Sequence, residues 1–550
     1  MNAQTDLKSQ EPVYVTGHQH PDTDSIVSAI AYAFFKRAIG VRAVACRLGP
    51  LGSETKYLLE RFGFDEPILL KDARKTLKEI ELDPPDAVHP DTTVYETIRH
   101  MKETERASFA VVDEENHVVG YVSKSDLADI GLGDTSMGIE LLRHTTAADV
   151  AKTISGTLIY DDPELHLNGK VSIIALSEHG IKNYDVKDRI VIMGNEPEAE
   201  KALIEQGAGM MIVVWAKEIR ADVIEAAKQH HCPVIISGHG SMNTSRYLFF
   251  APRVELIMRK KPLLFNENEF AEDAGVKMAR TRFRAYPVTD NENHLVGYVS
   301  RSHIMAYKNK KIILVDHNEF SQSVKAVEKA QILEVVDHHR INDFATSQPV
   351  SFRNEIVGSS ATIIATMFRE NQIPIPANLA GLMLGAVLSD TLLFQSPTTT
   401  PKDISTAHLL AALAELDIET FGTEMFAKSA DHSDMSIREM IVQDIKYYDI
   451  DGCRTMISQS MVSSVRSLIG KEAEIQNCLE KLVHKKDLDL VVAAYTSVAD
   501  EGSVFYFAGD KKARAEEAFP DTSEVGHDIQ KGIFSRKSQI LPALTAVIQR

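Results

Sequence analysis

The sequence predicts a multidomain α/β protein in which a parallel-sheet domain is interrupted by an insertion and followed by a further α/β domain. Three observations support this fold class. With 550 residues, the chain is too long for one hydrophobic core. Short apolar runs rich in β-branched residues recur along it, as in buried parallel strands. A 22-residue segment also occurs twice, at a constant offset of 177 residues, and separates the early apolar runs from the late ones.

The first strand–helix unit is predicted close to the start of the chain. An apolar run at residues 12–16 is followed by the polar stretch 18–24, and residues 25–35 are predicted to form a helix. Asp24 or Ser25 is expected to cap this helix, because short polar side chains accept hydrogen bonds from the first free N–H groups of a helix.

The repeated segment indicates a duplicated module. Residues 106–127 and 283–304 are identical at 11 of 22 positions, and each copy predicts a strand, an Asn-His turn, a second strand and a helix start. Further helices are predicted upstream of the copies, at residues 94–102 and 270–278. Because so small a unit cannot bury its sheet alone, each copy is expected to pair with the other.

The stretch between the two copies, residues 140–245, predicts an independent α/β domain. It alternates helical segments with β-type runs at residues 170–175, 188–194, 209–215 and 232–237. Removing residues 72–308 would bring the first strand–helix unit next to the later apolar runs. The whole block is therefore interpreted as an insertion into one domain.

Beyond the insertion, three apolar runs end in acidic and imidazole side chains. Two predicted strands, 311–315 and 332–336, and one predicted helix, 382–388, are followed by Asp316-His317-Asn318-Glu319, Asp337-His338-His339 and Ser389-Asp390-Thr391. Ligands of open α/β sheets bind beyond the carboxyl ends of the strands. These side chains are therefore expected to converge with those of the stretch 18–24.

Carboxylates and imidazoles at mixed spacing suit two divalent cations that accept both oxygen and nitrogen, such as Mn²⁺ or Co²⁺. A simpler explanation for Asp22 and Asp24 is that they cap a helix. The carboxylates of Asp316, Asp337 and Asp390 favour the metal site, because buried carboxylates without partners cost too much free energy to accumulate by accident.

Composition limits the partners and the compartment. A formal net charge of −18 opposes general binding to nucleic acid or to an anionic membrane. The four cysteines lie far apart without a Cys-x-x-Cys pair, which argues against a disulfide framework and a zinc knuckle. No long apolar run and no signal segment is present in the sequence, so a cytoplasmic protein is expected.

The motifs around the acidic residues resemble those of the DHH phosphoesterases. The resemblance rests on His-x-x-x-Asp-x-Asp from His18, Asp-His-Asn-Glu from Asp316, Asp-His-His from Asp337 and Ser-Asp-Thr from Ser389, in this order. Near the C-terminus, Ser-Arg-Lys-Ser-Gln at 535–539 resembles the Ser-Arg-Lys-x-Gln motif of family II inorganic pyrophosphatases, with serine where a lysine is common. The Gly-Gly-Gly-His motif of DHH nucleases and dinucleotide phosphodiesterases is absent from the sequence.

The insertion resembles two CBS motifs with a DRTGG domain between them, although residues 239–246 depart from the Asp-rich closing motif of that domain. Over essentially the whole chain, the sequence resembles CBS-domain-containing family II inorganic pyrophosphatases. This implies a DHH-type parallel-sheet catalytic domain interrupted by a CBS pair and an α/β DRTGG-like domain, and followed by a C-terminal α/β DHH-associated domain.

The resemblance implies six segments: the first part of the DHH catalytic domain at 1–71, CBS motif 1 at 72–131, the DRTGG-like domain at 132–246, CBS motif 2 at 247–308, the second part of the DHH domain at 309–430, and the C-terminal DHH-associated substrate-binding domain at 437–550. The polar stretch 428–436 is the predicted linker. By resemblance, the C-terminal domain is expected to close over the substrate and exclude water.

The resemblance also implies two metal positions that share one ligand: His18 and Asp22 at the first position, Asp24, His338 and Asp390 at the second, and Asp316 at both. Asp337 and His317 are expected to orient these ligands. Such a metal pair lowers the pKa of a bridging water and holds the resulting hydroxide in line with phosphorus.

By the same resemblance, His339, Lys446, Arg536 and Lys537 neutralise the leaving phosphate, with His339 as proton donor. Mg²⁺ is expected to accompany the diphosphate substrate. Without the resemblance, Arg536 and Lys537 would be interpreted as an exposed basic turn, and Lys446 as a surface lysine of a helix.

The CBS pair implies regulation by adenine nucleotides, with AMP or ADP as inhibitors and ATP or dinucleoside polyphosphates as activators. Arg284 is expected to contact phosphate, Tyr286 to stack on the base and Asp126 to bind the ribose. The second copy has His303 at the position of Asp126, so the two half-sites differ. Alternatively, the block only dimerises the enzyme. A homodimer or a higher homo-oligomer is expected in either case.

Three functions remain open from the sequence. The favoured one is hydrolysis of inorganic diphosphate to two orthophosphates, regulated by nucleotides. The second is a DHH-family phosphodiesterase or exopolyphosphatase acting on a larger phosphate compound. The third is a catalytically silent adenylate sensor, which the presence of all six expected ligands disfavours.

Overall fold

The computed structural model describes residues 11–132, 135–175, 184–341, 345–346, 348–429, 436–520 and 529–550. The chain forms two compact units. One consists of Met1–Arg74 together with Lys308–Arg550, and the other consists of Lys75–Tyr307. The predicted linker at 428–436 falls largely on residues 430–435, which lie outside the described residues.

The strands of the described residues are, in chain order, β1 (Val13–Thr16), β2 (Ala43–Arg47), β3 (Ile68–Leu69), β4 (Ala87–Val88), β5 (Ser108–Val112), β6 (Val118–Ser123), β7 (Thr157–Tyr160), β8 (Val171–Ile174), β9 (Ile190–Gly194), β10 (Met210–Val214), β11 (Val234–Ile236), β12 (Phe265–Asn266), β13 (Ala285–Thr289), β14 (Leu295–Ser300), β15 (Lys311–Val315), β16 (Gln331–Asp337), β17 (Ser351–Asn354), β18 (Ile445–Ile450), β19 (Cys453–Met461), β20 (Leu490–Ser497), β21 (Gly502–Ala508) and β22 (Gln530–Lys531).

The α-helices are α1 (Thr23–Ala38), α2 (Ser53–Phe62), α3 (Val94–Glu103), α4 (Lys124–Leu132), α5 (Thr135–Leu142), α6 (Ala147–Thr153), α7 (Pro197–Glu205), α8 (Ala221–Gln229), α9 (Ser241–Leu248), α10 (Ala271–Ala279), α11 (Arg301–Ala306), α12 (Ser360–Glu370), α13 (Ala377–Thr391), α14 (Pro401–Ala414), α15 (Ile418–Ser429), α16 (Ile437–Gln443), α17 (Glu472–Lys486), α18 (Lys512–Ala518) and α19 (Leu541–Ile548). Among the described residues, no helix combines the length and the apolar character needed to cross a bilayer.

The first unit contains a six-stranded sheet in the order β17-β16-β15-β1-β2-β3. All of its pairs are parallel. Strand β1 pairs directly with β15, with Val13 opposite Lys311. This confirms that the segments before and after the insertion share one sheet. The chain leaves this sheet after the edge strand β3 and returns to it in the interior strand β15.

Strand β15 explains why apolar runs predicted the strands correctly. Its residues alternate between the two faces of the sheet, with Ile313 and Val315 in the core on the side of α1, α12 and α13. Ile312 and Leu314 lie in a second core on the opposite face. Because both faces are covered, the strand lacks the alternation of polar and apolar residues that a half-exposed strand shows. Its residues 312–315 are all apolar.

The helix predicted at 25–35 is α1, and its cap differs from the prediction. The N-cap is Asp22, whose side chain accepts the N–H of Ser25 at 2.9 Å. Asp22 has an extended backbone, with φ −85° and ψ −171°, whereas Asp24 already lies in the first turn. The prediction that Asp24 or Ser25 caps the helix is therefore wrong.

The C-terminal part of the first unit contains a five-stranded sheet in the order β18-β19-β20-β21-β22. Strands β19 and β20 are parallel, and the other neighbours are antiparallel. Residues of α17 pack on one face of the sheet, and residues of α18 and α19 pack on the other. The predicted α/β class of this region is confirmed.

The second unit contains two three-stranded sheets of the same topology, β4-β5-β6 and β12-β13-β14. In each, a parallel pair is followed by an antiparallel pair with a register shift near its end. The two Asn-His turns contact each other. The side-chain amide of Asn116 donates to the carbonyl of Leu295 at 3.3 Å, and the side-chain amide of Asn293 donates to the carbonyl of Val118 at 3.1 Å. The prediction that the duplicated copies pair with each other is confirmed.

The residues between these two sheets in the sequence form a five-stranded sheet in the order β7-β11-β10-β9-β8. Its four parallel strands match the four predicted β-type runs. The antiparallel edge strand β7 was not predicted, because residues 157–160 form only a short and half-exposed run.

Candidate functional site

The predicted metal ligands converge at the carboxyl ends of three neighbouring parallel strands. His18 follows β1, Asp316 follows β15, and His338 follows β16. The remaining three are placed by helices, because Asp22 and Asp24 begin α1 and Asp390 lies in the last turn of α13. The structure brings ligand atoms within 4.8 Å of one another in three groups: His18, Asp22 and Asp316; Asp24, Asp316, His338 and Asp390; and Asp316, His338 and His339.

Asp316 belongs to all three groups. Its Oδ2 lies 3.5 Å from Nε2 of His18, and its Oδ1 lies 3.3 Å from Nε2 of His338. The side chain is 1% exposed, and the backbone has φ 61°, a left-handed conformation that few non-glycine residues adopt. Strained residues of this kind concentrate at functional sites.

The electrostatics of the site favour bound cations. Burial, followed by the negative charges of Asp24 and Asp22, raises the pKa values of Asp316 and Asp390 well above the ordinary range. Oδ2 of Asp316 and Nε2 of His338 are buried and have no hydrogen-bond partner among the described atoms. A set of carboxylate and imidazole donors with excess negative charge and vacant lone pairs fits divalent metal ions.

The two consecutive histidines are held by different partners. Nδ1 of His338 donates to the carbonyl of Val357 at 3.0 Å, which leaves Nε2 for the centre of the site. Nδ1 of His339 donates to Asp337 at 2.9 Å. Asp337 is fully buried, and although burial opposes ionisation, its hydrogen bond with His339 helps to lower the pKa of Asp337 to about 2.

His317 has a different environment from that predicted. Its Nδ1 donates to the carbonyl of Val315 at 2.9 Å. Burial lowers the pKa of His317 to about 4, so the ring is neutral at neutral pH. Among the described contacts its hydrogen bond is thus to its own strand and not to a predicted ligand.

The three predicted phosphate-binding cations lie together in the C-terminal part of the first unit. Lys446 is on strand β18, so the interpretation of this segment as a helix is wrong. Arg536 and Lys537 begin a π-helix, Arg536–Ile540. Desolvation, and then the positive charges of Arg536 and Lys537, lower the pKa of Lys446. This lysine also acts electrostatically on His18, which places the basic cluster close to the acidic one.

The C-terminal motif is braced by its own side chains. Oε1 of Gln539 accepts the N–H groups of Phe534 and Ser535 at 2.9 and 3.0 Å. One guanidinium N–H of Arg536 binds Oδ1 of Asp444 at 2.9 Å, and another binds the carbonyl of Asp444 at 3.0 Å. The basic turn therefore has a defined conformation.

Comparison with known proteins identifies the family. The model of the DHH family, N-terminal domain, matches residues 12–387, and that of the DHHA2 domain matches residues 423–547. The chain is 33% identical over 542 residues to the cobalt-dependent inorganic pyrophosphatase of Clostridium perfringens, covering 98% of this chain and 99% of that protein. The chain belongs to the DHH-type inorganic pyrophosphatases. The family predicted from the sequence is confirmed.

Two further similarities concern this pyrophosphatase. It is 31% identical over 549 residues to the probable manganese-dependent inorganic pyrophosphatase of Thermotoga maritima, covering 99% of this chain and 100% of that protein. A crystal structure of the CBS and DRTGG domains of the Clostridium perfringens pyrophosphatase, complexed with diadenosine tetraphosphate, is 24% identical with a TM-score of 0.38. It covers 41% of this chain and 99% of its own.

The structure alters the prediction for the nucleotide-binding residues of this pyrophosphatase. Tyr286 is 1% exposed, packs edge-on against Phe265 and Phe283, and has its hydroxyl hydrogen-bonded to Thr281. Along β13, Tyr286 and Val288 occupy alternate positions that face the core. The ring of Tyr286 is enclosed in this structure, and its stacking on a base stays a prediction.

The other two residues predicted to contact nucleotide, Asp126 and Arg284, differ in whether their side chains are already hydrogen-bonded or exposed. Asp126 caps the start of α4 through the N–H of Ser123 at 2.9 Å, and its second oxygen accepts two N–H groups of Arg259 at 2.8 and 3.0 Å. The carboxylate predicted for ribose is therefore already engaged. Arg284 is exposed and offers its guanidinium to solvent.

Sequence reasoning missed the segment that supports the acidic residues. At the start of α12, Asp24 accepts the hydroxyl of Ser359 at 2.8 Å, the N–H of Ser360 at 2.6 Å and the N–H of Ala361 at 3.0 Å. The hydroxyl of Ser360 also donates to Asp316 at 3.1 Å. The Gly-Ser-Ser sequence before an apolar helix signals an N-cap, but it does not reveal which carboxylate the helix faces.

A second missed residue, Asp403, anchors this segment. It is fully buried and accepts the N–H of Gly358 at 2.8 Å and the hydroxyl of Thr362 at 2.7 Å. It also caps α14 through Thr400. The turn that contacts Asp24 is therefore fixed from both of its ends.

Proposed function

We propose that this protein hydrolyses inorganic diphosphate to two orthophosphates with two divalent cations, Mn²⁺ or Co²⁺, and that adenine nucleotides regulate it. The main supporting observation is the convergence of three strand ends and two helix ends on one set of carboxylates and imidazoles, with unpartnered ligand atoms at its centre. The full-length similarity to proteins named cobalt-dependent and manganese-dependent inorganic pyrophosphatases supports the substrate and the metals.

The donor groups suggest how the cations are held. His18 and Asp22 would hold one ion, Asp24, His338 and Asp390 would hold the other, and Asp316 would contribute to both. When bound, such a pair supplies Lewis acidity that makes water a nucleophile near neutral pH. Mg²⁺ would enter with the diphosphate as its counter-ion.

The chain itself supplies binding and proton transfer. Lys446, Arg536 and Lys537 would neutralise the phosphate oxygens, with Arg536 oriented by Asp444. Nε2 of His339 would give its proton to the leaving phosphate while Asp337 holds Nδ1 of the same ring. Exclusion of water by the C-terminal domain would strengthen each of these interactions.

The regulatory role rests on the paired, pseudo-symmetric copies and on the exposed guanidinium of Arg284. AMP or ADP would inhibit the enzyme, and ATP or dinucleoside polyphosphates would activate it. We further propose the domain boundaries predicted from the sequence, a homodimeric or larger assembly, and a cytoplasmic location. Light scattering of the purified protein measures the assembly directly.

One experiment separates the three candidate functions. Phosphate release is measured from diphosphate, triphosphate and a cyclic dinucleotide, each with Mn²⁺ or Co²⁺ after removal of metal by EDTA, and each with and without AMP. Strong selectivity for diphosphate, lost on removal of metal, is expected. Preference for triphosphate or the cyclic dinucleotide supports a phosphodiesterase or exopolyphosphatase, and no turnover of any substrate supports an adenylate sensor.

A further inference from the structure

Glu54 connects two ligand-bearing segments that are far apart in the chain. It lies in the first turn of α2, outside every motif recognised in the sequence. Its Oε1 accepts the hydroxyl of Thr23 at 2.6 Å and the hydroxyl of Ser389 at 2.5 Å. Thr23 stands between Asp22 and Asp24, and Ser389 directly precedes Asp390.

We propose that Glu54 is a positioning residue for the metal centre: it fixes the start of α1 against the end of α13 and thereby sets the metal affinity of the group formed by Asp24, His338 and Asp390. This inference rests on the proposed function, because it assumes that the group binds a divalent cation. Glu54 acts through its two hydroxyl partners and is absent from the groups of ligand atoms found among the described residues.

The chemistry of the two hydrogen bonds supports this role. Both hydroxyls donate to the same carboxylate oxygen, Oε1 of Glu54, so the two ligand-bearing segments share one acceptor. Each donor is adjacent in sequence to a predicted ligand, so small movements of either hydroxyl displace a ligand carboxylate. Asp24 and Asp390 carry like charges and repel each other in the absence of metal. Because Glu54 accepts hydrogen bonds from both Thr23 and Ser389, it keeps the two carboxylates from moving apart.

The other supports of the group act elsewhere. Nδ1 of His338 is held by the carbonyl of Val357, and Asp24 is held by the start of α12. Of the two residues next to Asp390, Thr391 donates its hydroxyl to the carbonyl of Val387 within α13, whereas Ser389 donates its hydroxyl to Glu54 of α2. The hydrogen bond to Glu54 therefore ties the segment of Asp390 to another helix, and loss of Glu54 is expected to shift Asp390.

A purely structural role for Glu54 makes a different prediction. An acidic residue in the first turn of a helix stabilises the helix through its dipole. Loss of that effect would lower the stability of α2 without changing metal affinity. Hydrogen bonding of Thr23 to Thr55 at 3.1 Å does not involve Glu54 and remains available in a variant.

The test uses the full-length protein stripped of metal by EDTA. Mn²⁺ binding is titrated by calorimetry for the wild type, Glu54→Ala, Glu54→Gln and the control Glu60→Ala, which changes an exposed glutamate of the same helix. Mutation of residues that support metal ligands through hydrogen bonds typically lowers metal affinity by about 10–100-fold. We expect a loss of this size at one of two sites in Glu54→Ala, a smaller loss in Glu54→Gln, whose amide oxygen still accepts, and none in Glu60→Ala.

Unchanged Mn²⁺ affinity in folded Glu54→Ala overturns the proposal, as does an equal loss in Glu60→Ala. If Glu54→Ala does not fold, Ser389→Ala removes one of the two hydrogen bonds, and wild-type affinity in that variant and in Glu54→Gln also overturns it. Diphosphate hydrolysis by the wild type is measured in parallel. Absence of that activity contradicts the proposed function, whereas the Mn²⁺ titration decides on Glu54 independently.

Discussion

Oδ1 of Asp337 accepts a hydrogen bond from Nδ1 of His339 at 2.9 Å. The same carboxylate accepts the backbone N–H groups of His338 and His339 at 2.8 and 3.1 Å and the side-chain amide of Asn318 at 2.5 Å. Asp337 therefore fixes both the ring orientation and the tautomer of His339. Nε2 is left as the atom that can exchange a proton with substrate.

Replacing Asp337 by asparagine is expected to lower kcat for diphosphate by about 10–100-fold, because the neutral amide no longer stabilises the protonated ring. His339→Gln is expected to lower kcat by about 100-fold or more, as for loss of a general acid. The double variant should be no slower than His339→Gln, because the two residues act as a unit. Fully multiplicative effects in steady-state kinetics would contradict this arrangement.

Asp390→Asn is expected to stabilise the metal-free protein. The folded-state pKa values of Asp316 and Asp390 are raised, so their favourable contribution is complete below the unfolded value of 3.8 and is lost as pH rises through the folded values. His338, whose pKa is also raised, acts in the same direction above its unfolded value of 6.5. Stability in EDTA should therefore fall as pH rises above 3.8, and the contribution of His338 should be lost above pH 6.5.

In Asp390→Asn this decline should be smaller, and Tm at pH 8 should rise by about 2–4 °C for each kcal/mol of repulsion removed. Asp337, with its pKa of about 2, has the opposite sign, since its contribution is lost only as pH falls below 3.8. Thermal unfolding in EDTA and in Mn²⁺ provides the measurement. A wild-type Tm that rises with pH in EDTA would refute the prediction.

Lys537→Ala is expected to lower kcat/KM for diphosphate by about 100-fold, because one charge that faces the developing negative charge is removed. The matched control is Lys485→Ala, which changes an exposed lysine of α17 in the same part of the chain. Both variants retain the hydrogen bonds of Gln539 that shape the C-terminal turn. Equal kinetics for the two variants would show that Lys537 is an ordinary surface lysine.

Arg284→Ala is expected to abolish the response to AMP while basal hydrolysis is unchanged, because an exposed guanidinium suits bidentate phosphate contact. Arg282→Ala, two positions earlier and also exposed, is the control and should keep the response. Activity is measured across a range of AMP concentrations. Inhibition that persists in Arg284→Ala would remove this residue from the nucleotide site.

The sequence predicted the strands and the acidic centre because both leave strong local signals. An apolar run that stops at Asp316 or Asp337 predicts a buried strand. It also locates the end of the strand, where the ligands lie, to within a few residues. Ser360, Glu54 and Asp403 leave no such signal, since serine and acidic residues are common at helix starts. Each of them has at least one partner more than 40 residues away, and Glu54 and Ser389 are separated by 335 residues.

Errors at residue level arose where tertiary structure decided the secondary structure or the burial of a residue. Arg284 precedes β13 and is exposed, whereas Tyr286 lies within the strand and its ring packs in the core. Lys446 occurs in a sequence compatible with a surface helix, and pairing of β18 with β19 makes it a strand residue. Asp22 rather than Asp24 caps α1 because the helix begins two residues earlier than its apolar pattern suggests.

The pairing of β1 with β15 determines when the protein can be completed during synthesis. Val13 cannot pair with Lys311 until about 300 further residues have been synthesised, and ribosomes add about 5–20 residues per second. For about 15–60 s the first strand and α1 are outside the ribosome without their central partner. Neither predicted metal position can be completed before Asp316 has been translated, and the second also requires Asp390, so metal loading follows synthesis of more than half of the chain.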